Sequence, residues 1–173
     1  AAAAAAAADI LGKGQFIMKY TLRKNLTVPV KTYSKWAVEE LNLEGIELIE
    51  VLRELLSNVM EGILDPEIAG KKPDGYLNNL RNNRLGDFSK RYIIAALDND
   101  RAIGLLIGLP EENQKLHIYT LGVLATYRKT GVGSILLAKC INDMFERDMD
   151  EIILDVHSDN VPAFNLFKKF GFH

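Results

Sequence analysis

A glycine-containing loop between a predicted strand and a predicted helix carries the residues best suited to bind an anion. The loop follows the pattern Arg128-x-x-Gly131-x-Gly133. The first amides of a helix lack intrahelical partners and lie at the positive end of its dipole, so the amides of 129–134 can bind a pyrophosphate. The glycines let the backbone approach a ligand closely, and Arg128 and Lys129 add positive charge.

This pattern alone is weakly specific. Glycine makes up about 7% of protein residues, so a similar spacing arises by chance in roughly one chain of this size in six. The alternative interpretation is a tight loop before a helix, with no ligand. The context favours the phosphate site, because an apolar strand precedes the loop and an apolar helix follows it.

The elements that must position this loop are predicted from the hydrophobic pattern of the second half of the chain. Apolar and β-branched runs predict strands, and apolar residues at helical spacing predict helices. The predicted strands are 91–97, 102–109, 115–123 and 151–157, and the predicted helices are 131–147 and 162–170. The first two strands flank a polar turn and therefore form a hairpin. The order β-β-β-α-β-α predicts an α/β domain with a mixed sheet.

The first half of the chain has weaker patterns. Residues 15–26 mix apolar and basic residues without a clean period, whereas Ser34 is a candidate cap for a helix through Leu41. Residues 46–63 are amphipathic with one apolar face, and residues 65–90 are rich in Pro, Gly, Asn and charge, which predicts a long loop. The alanines at 1–8 are expected to be an unassigned or added tract outside the domain.

Length, charge and cysteine content limit the class of protein. A chain of 173 residues predicts a single domain. The net charge of -2 gives no general attraction to nucleic acid, and no apolar run approaches the ~20 residues that cross a bilayer. Cys140 is the single cysteine, so no intrachain disulfide can form and a zinc site gains no support. We expect a soluble cytoplasmic protein that binds no metal.

Three segments of the chain carry a resemblance to a known family. They are 121–137 with the glycine loop, Asn160 with 164–172 and its ending Phe-Lys-Lys-Phe-Gly-Phe, and 28–33 with the sequence Val-Pro-Val-Lys-Thr-Tyr. These segments resemble the GNAT superfamily of N-acetyltransferases, and within it the NatE and NatF catalytic subunits that acetylate protein N-termini. The resemblance implies one GNAT domain over 9–173, with an insertion unusual for the family at about 45–90.

The resemblance also implies a fold and a cosubstrate. The fold is a mixed, mostly antiparallel central sheet flanked by helices and splayed between the third and fifth conserved strands, which are the fourth and fifth in GNAT numbering. Acetyl-CoA enters this gap, and backbone amides of 121–123 polarise its thioester carbonyl. The implied cofactor-binding residues are Leu121, Gly122, Val123, Arg128, Lys129, Thr130, Gly131, Val132, Gly133, Ser134, Asn160 and Phe167.

The chain departs from the family at the positions that handle protons. NatE and NatF enzymes place a Tyr on the third strand and a His on the fifth, where alignment puts His117 and Asp155. We expect this imidazole and carboxylate to face one another and to take the amine proton, directly or through water; the alternative is a structural role for both. Many GNAT enzymes use a Tyr as general acid where this chain has Phe167. Water, Tyr119 or Ser158 are the alternatives for that role.

The expected acceptor is the α-amino group of a protein N-terminus. An α-amine with a pKa near 7.7–8.0 costs about 1 kcal/mol to deprotonate at pH 7, whereas a lysine near 10.4 costs about 4.6 kcal/mol. Resemblance to the NatE substrate loop implies an apolar wall and two tyrosines that receive a peptide beginning with Met and an apolar residue. These substrate-binding residues are Val28, Pro29, Val30, Tyr33 and Tyr119. The alternative makes 28–30 an ordinary connection and Tyr33 a core aromatic.

Other functions stay open at this point. One is acetylation of a lysine or of a small-molecule amine. The other is a non-catalytic regulatory subunit that binds acetyl-CoA, because the chain lacks the Tyr, the His and the acid Tyr that the family uses. The apolar face of 46–63 either packs on the same core or docks an auxiliary subunit. The expected partners are acetyl-CoA and a peptide or nascent-chain N-terminus, with no nucleic acid and no membrane span.

Overall fold

The computed structural model describes residues 5–11, 15–60 and 72–173, with side chains described from Met18 onward within those ranges. The strands are β1 (Ala5–Leu11), β2 (Gln15–Asn25), β3 (Ala37–Glu40), β4 (Tyr92–Asp98), β5 (Arg101–Glu111), β6 (Lys115–Val123) and β7 (Glu151–His157). The helices are α1 (Gly45–Val59), α2 (Asp74–Arg81), α3 (Val132–Glu146) and α4 (Val161–Lys169), with short 3-10 helices at Phe88–Lys90 and Ala125–Tyr127.

The strands form one sheet in the order β1-β2-β7-β6-β5-β4-β3. Among these neighbours only β6 and β7 are parallel. An ideal Cβ on Gly104 of β5 would meet Val132 and Leu136 of α3, whereas one on Gly122 of β6 would meet Val59 of α1. These two glycines occupy neighbouring positions of the β5–β6 ladder, which point to opposite faces. Helices α1 and α3 therefore cover opposite faces of the sheet.

The predictions for the second half of the chain are confirmed. β4 and β5 form the predicted hairpin, and β6, α3, β7 and α4 begin and end within two residues of their predicted limits. The centre of the core lies on β4 and β5, where Ile94, Leu105, Leu106 and Ile107 have 0% exposure. Long apolar runs flanked by polar turns produced these predictions, because strands covered on both faces are apolar at consecutive positions.

The sheet opens between β6 and β7, as the family resemblance implies. The parallel ladder joins only Lys115–Ile118 to Glu151–Leu154. Beyond it, β6 stays paired with β5 as far as Val123, while β7 stays paired with β2 as far as His157. Tyr119 is an extra residue on β6 where its register with β5 shifts, and such a bulge bends a strand. The two strands therefore diverge toward their carboxyl ends.

The predicted helix from Ser34 through Leu41 is wrong. This segment instead contains β3, a four-residue strand at the edge of the sheet, where it pairs with β4. The Ser34 hydroxyl accepts a hydrogen bond from the Trp36 N–H at 3.0 Å and so closes a turn two residues on. Four residues of alternating exposure are too few to separate a strand from one helical turn by their pattern.

The loop predicted at 65–90 is partly wrong, because it contains α2. Leu77 and Leu80 of this helix are buried, at a helical spacing of three. Gly75, Asn78 and Asn79 interrupt the apolar pattern of this eight-residue helix, so its spacing was not recognised. The residues at 65–71 of the predicted loop lie outside the described part of the chain.

The N-terminal segment without a clean period forms β2. Leu22 is buried on one face, whereas its neighbours Thr21 and Arg23 are more exposed on the other. The strand pairs with β1 on one edge and with β7 on the other. β1 begins at Ala5, so part of the alanine tract pairs with β2.

The amphipathic segment at 46–63 forms α1, which packs on the sheet and on α2. Its buried residues are Leu48, Leu52, Leu55, Leu56 and Val59. Ile46 was expected on the apolar face but is 78% exposed, and Ile63 lies outside the described residues. Of the two alternatives for this face, packing on the same core is the one observed. No helix in the described ranges is long and apolar enough to cross a bilayer.

Candidate active site

The glycine loop connects the end of β6 to the start of α3. Lys129 has a φ of 62° and Gly131, the N-cap of α3, a φ of 95°, so both adopt left-handed backbone. The hydrogen bond that begins the helix runs from the Ile135 N–H to the Gly131 carbonyl at 3.1 Å. The amides of 132–134 come before it, and such amides have no carbonyl partner within the helix. They are the groups that an anion at a helix N-terminus binds.

The loop is open beside Gly131 and closely packed behind Gly133. An ideal Cβ on Gly131 would meet no described atom within 4 Å, which leaves room for a ligand. An ideal Cβ on Gly133 would lie 3.1 Å from Cδ2 of Leu166, on α4. Gly133 therefore lets α3 begin close to α4, and the open side of the loop is the side of Gly131.

Polar side chains of the loop bind backbone carbonyls. Nε of Arg128 donates to the Val123 carbonyl at 3.2 Å and its Nη2 to the Val59 carbonyl at 3.4 Å, which ties the end of β6 to the end of α1. The Thr130 hydroxyl donates to the Tyr127 carbonyl. The sequence predicts Arg128 and Thr130 as pyrophosphate ligands. In the structure both side chains donate hydrogen bonds to backbone carbonyls.

The strand segment predicted to hold pantetheine is the splayed end of β6. Leu121, Gly122 and Val123 pair with β5 along one edge. The β7 ladder ends before them, so β7 does not pair with their other edge. An ideal Cβ on Gly122 would lie 2.8 Å from Cβ of Val59, so α1 supports the segment from one face. Backbone groups at such an edge are available to the amides of a ligand.

His117 and Asp155 face each other where β6 and β7 are about to diverge. Nε2 of His117 lies 3.6 Å from Oδ2 of Asp155, and their side chains are 13% and 34% exposed. The rings of His117 and Tyr119 stack, with centroids 4.1 Å apart and an interplanar angle of 7°. The predicted proximity of the imidazole and the carboxylate is confirmed.

Two further side chains complete this cluster, and sequence reasoning missed both. Oε1 of Glu111, the last residue of β5, lies 2.7 Å from Nδ1 of His117. The Thr21 hydroxyl, on β2, donates to Oδ1 of Asp155 at 2.7 Å. The register of the β5–β6 hairpin contained a signal for Glu111, since a short turn brings it beside the start of β6. No signal pointed to Thr21, because β2 itself was not recognised.

The cluster favours the charged forms of both central groups. Burial lowers the pKa of His117, but the contacts with Asp155 and Glu111 outweigh it, and the pKa of the imidazole lies above its ordinary value. The contact with His117 holds the pKa of Asp155 below its ordinary value, and the Thr21 hydroxyl acts in the same direction. Burial opposes this decrease without reversing it.

The expected substrate wall lies elsewhere, which corrects that prediction. The Val30 N–H donates to Oδ1 of Asn142 at 2.8 Å and its carbonyl accepts from Nδ2 at 2.9 Å, so the segment is held against α3. His117 lies on the opposite face, because it stacks on Tyr119, whose hydroxyl bonds to the Leu85 carbonyl just after α2. Val28 is 64% exposed and Tyr33 91% exposed. Val28, Pro29, Val30 and Tyr33 connect β2 to β3, and a resemblance of six residues did not determine where they fold.

Tyr119 is the predicted substrate residue that does lie at the cluster. Its hydroxyl donates to the Leu85 carbonyl at 2.8 Å, so its proton is engaged by the backbone. The Ser158 hydroxyl accepts from the Met18 N–H at 3.2 Å. Only the proton of Tyr119 is therefore engaged, because Ser158 uses its oxygen as an acceptor in this contact.

The two predicted cofactor residues near the end of the chain have evident structural roles. The Asn160 side chain accepts from the Ala163 N–H at 3.4 Å and caps α4. Phe167 is 5% exposed, and its ring centroid lies 5.6 Å from that of Phe172. The aromatic at this position is therefore part of the core.

The glycine loop, the splay and the strand order together agree with one known family. Residues 49–172 match the model of the acetyltransferase (GNAT) family. The chain belongs to this family. An N-alpha-acetyltransferase of Sulfurisphaera tokodaii is 40% identical over 65 residues, which are 37% of this chain and 39% of that protein. N-alpha-acetyltransferase 50 of Danio rerio is 37% identical over 79 residues, which are 43% of this chain and 46% of that protein. The matched stretches thus span less than half of these relatives.

Solved structures agree with this fold. A GCN5-related N-acetyltransferase from Sphaerobacter thermophilus has a TM-score of 0.67 at 17% identity, covering 90% of this chain and 47% of that one. The PaiA N-acetyltransferase of Thermoplasma acidophilum, solved in complex with coenzyme A, has a TM-score of 0.61 at 24% identity, covering 79% of this chain and 90% of that one. At these identities the likeness concerns the fold.

Proposed function

We propose that this protein transfers the acetyl group of acetyl-CoA to the α-amino group of a protein or peptide N-terminus, with His117 as the general base. The observation that carries the proposal is the imidazole of His117, which lies between two carboxylates where β6 and β7 diverge. Membership of the GNAT family supports acetyl transfer. The similarity to N-alpha-acetyltransferases supports an α-amine as the acceptor.

The residues present fit acetyl-CoA. The open space beside Gly131 and the first-turn amides of α3 suit a pyrophosphate, with the exposed Lys129 next to them. The edge of Leu121–Val123 that β7 leaves suits the amides of a pantetheine arm, and its N–H groups can polarise a carbonyl. When bound, acetyl-CoA supplies the acetyl group as a thioester.

The proton is taken at Nε2 of His117. When Nδ1 carries the hydrogen of the neutral ring, Nε2 and the Asp155 carboxylate are both acceptors, and a donor placed between them can bond to both across the 3.6 Å that separates them. An N–H of the acceptor amine, or a water bound to it, meets this requirement. One proton passes from the ammonium group to Nε2, and the freed lone pair attacks the thioester carbonyl. Asp155 then stabilises the imidazolium. The second proton of the attacking nitrogen passes through water to the departing thiolate as the carbon–sulfur bond breaks, since Phe167 has no proton to give.

The acceptor class follows from the strength of this base. Deprotonating an α-amine at pH 7 costs about 1 kcal/mol, against about 4.6 kcal/mol for a lysine. A single imidazole with a raised pKa is matched to the former. The preference for an apolar second residue was expected from Val28, Pro29 and Val30, which lie on the other face of the sheet. We therefore propose the α-amino group as the acceptor and assign no preference for the second residue of the peptide.

A thioester-consumption assay with matched acceptors tests this function. One peptide has a free α-amine and no lysine, its partner has a blocked α-amine and one lysine, and a polyamine and an aminoglycoside represent small-molecule amines. We expect the first peptide to be acetylated fastest. Equal rates on the lysine peptide, or faster rates on the small amines, would refute the α-amine assignment. Tight acetyl-CoA binding with no turnover on any acceptor would indicate a non-catalytic regulatory subunit instead.

A further inference from the structure

We infer that Glu111 is a positioning residue that holds the proton on Nδ1 of His117 and so makes Nε2 the atom that receives the proton from the substrate. The inference rests on the proposed function for its catalytic meaning. Its structural part, the location of a proton on one ring nitrogen, stands on the geometry of the cluster alone.

The two carboxylates differ in their distance from the ring. Glu111 approaches Nδ1 at 2.7 Å, the length of a charge-assisted hydrogen bond. Asp155 approaches Nε2 at 3.6 Å, beyond hydrogen-bonding distance. A carboxylate can only accept a hydrogen bond, so Nδ1 must carry a hydrogen whenever Glu111 is ionised. The neutral ring therefore has Nε2 as its acceptor nitrogen.

The surroundings of His117 leave Glu111 as the group that fixes this tautomer. From β5 the ring meets Glu111, from its own strand it meets the stacked Tyr119, and from β7 it meets Asp155. Asp155 in turn is held by the hydroxyl of Thr21 on β2, and the positive charge of Lys19 acts on it. The Tyr119 hydroxyl is bound to a backbone carbonyl, so it does not compete for either ring nitrogen.

The arrangement divides the work between the carboxylates. Glu111 orients the ring and fixes which nitrogen is basic, as a carboxylate does when it holds the far nitrogen of a catalytic imidazole. Asp155, with one oxygen fixed by Thr21, stands beside the reacting nitrogen and stabilises the imidazolium after proton transfer. The side chain of Glu111 is 39% exposed, so solvent can reach the outer end of the pair.

The test combines nitrogen-15 NMR of the imidazoles with steady-state kinetics on four proteins. The chain has three histidines, so the ring spectra are simple and a His117→Asn variant assigns the relevant signals. The proteins are the parent, Glu111→Gln, Glu111→Ala and the control Glu112→Gln. Glu112 is the neighbouring exposed glutamate, so its replacement removes the same charge one residue away.

We expect the parent and the control to show the Nδ1–H tautomer of His117. In Glu111→Gln the amide oxygen can still accept from Nδ1, so the tautomer should persist while the titration midpoint of the ring falls by about one pH unit. In Glu111→Ala the tautomer should shift toward Nε2–H, and the plateau rate at high pH should fall by about tenfold to a hundredfold. Acetyl-CoA affinity should stay within twofold of the parent in all four proteins.

An unchanged tautomer and midpoint in both Glu111 variants would overturn the inference, as would an equal change in the Glu112 control. If the ring changes as expected while turnover does not, the proton is placed as inferred but His117 is not the base. That result would overturn the proposed mechanism and with it the catalytic role of Glu111.

Discussion

Replacing Gly131 by glutamate tests whether the loop before α3 binds the pyrophosphate of acetyl-CoA. The structure separates two effects of this change. The φ of 95° at Gly131 costs any residue with a Cβ about 1–2 kcal/mol of folding free energy. An ideal Cβ there meets no described atom within 4 Å, so a steric cost is absent. Gly131→Ala therefore measures the backbone strain alone.

The glutamate adds a charge beside the first-turn amides. A pair of unit charges 4 Å apart repels by about 1 kcal/mol in water and about 4 kcal/mol near a protein surface. Two pyrophosphate charges with partial screening give a loss of about 2–4 kcal/mol in binding, or roughly 30- to 900-fold in Kd. Gly131→Gln has the same size without the charge and should lose far less.

Isothermal titration with acetyl-CoA measures the three variants, at low salt and at 0.5 M salt. The difference between the glutamate and glutamine variants should shrink at high salt, because screening weakens the repulsion. Thermal unfolding of each variant shows that the protein remains folded. Equal affinities for the glutamate, glutamine and alanine variants would refute the placement of the pyrophosphate on this loop.

Three further results are expected. The rate on an α-amine peptide, measured by stopped flow, should rise with pH through a midpoint above the ordinary pKa of histidine, ~6.5, and then flatten. The stability that the His117 contacts contribute, measured by unfolding at several pH values, should be lost as pH rises through the same midpoint. Gly104→Ala places a Cβ 2.8 Å from Cγ1 of Val132 on α3, so it should lower the free energy of unfolding by about 1–3 kcal/mol and weaken acetyl-CoA binding. Gly75→Ala, whose Cβ would meet no described atom within 4 Å, is the control and should have neither effect. Tyr92→Phe removes the buried hydrogen bond to Asp143 at 2.7 Å and should cost about 1–3 kcal/mol in urea unfolding without changing acetyl-CoA affinity.

The sequence predicted the part of the fold that holds the glycine loop because local patterns there agree with the tertiary structure. β4 to β7 and α3 are long, apolar and separated by polar turns, so their period is clear. The short elements were missed for the opposite reason. β3 has four residues and α2 eight, and their identity depends on pairing with β4 and packing under α1.

The candidate site shows the same division. His117 and Asp155 were found because they lie on well-defined strands beside recognisable landmarks. The β5–β6 hairpin brings Glu111 to this cluster, whereas Thr21 reaches it only because the strand order places β2 beside β7. The segment 28–33 resembled a substrate loop in sequence, yet the hydrogen bonds between Val30 and Asn142 hold it on the other face. Residue identity alone does not specify such contacts between distant segments.

The turnover of His117→Ala tests the central claim most directly. The assay compares it with the parent and with His173→Ala, an exposed histidine outside the cluster, on the same α-amine peptide with saturating acetyl-CoA. We expect His117→Ala to lower kcat by about 10²–10⁴-fold and to lose the pH dependence, while acetyl-CoA affinity and the control remain near the parent. Near-parental kcat with an unchanged pH profile in His117→Ala would show that water or the amine itself supplies the base and that the His117 cluster is structural.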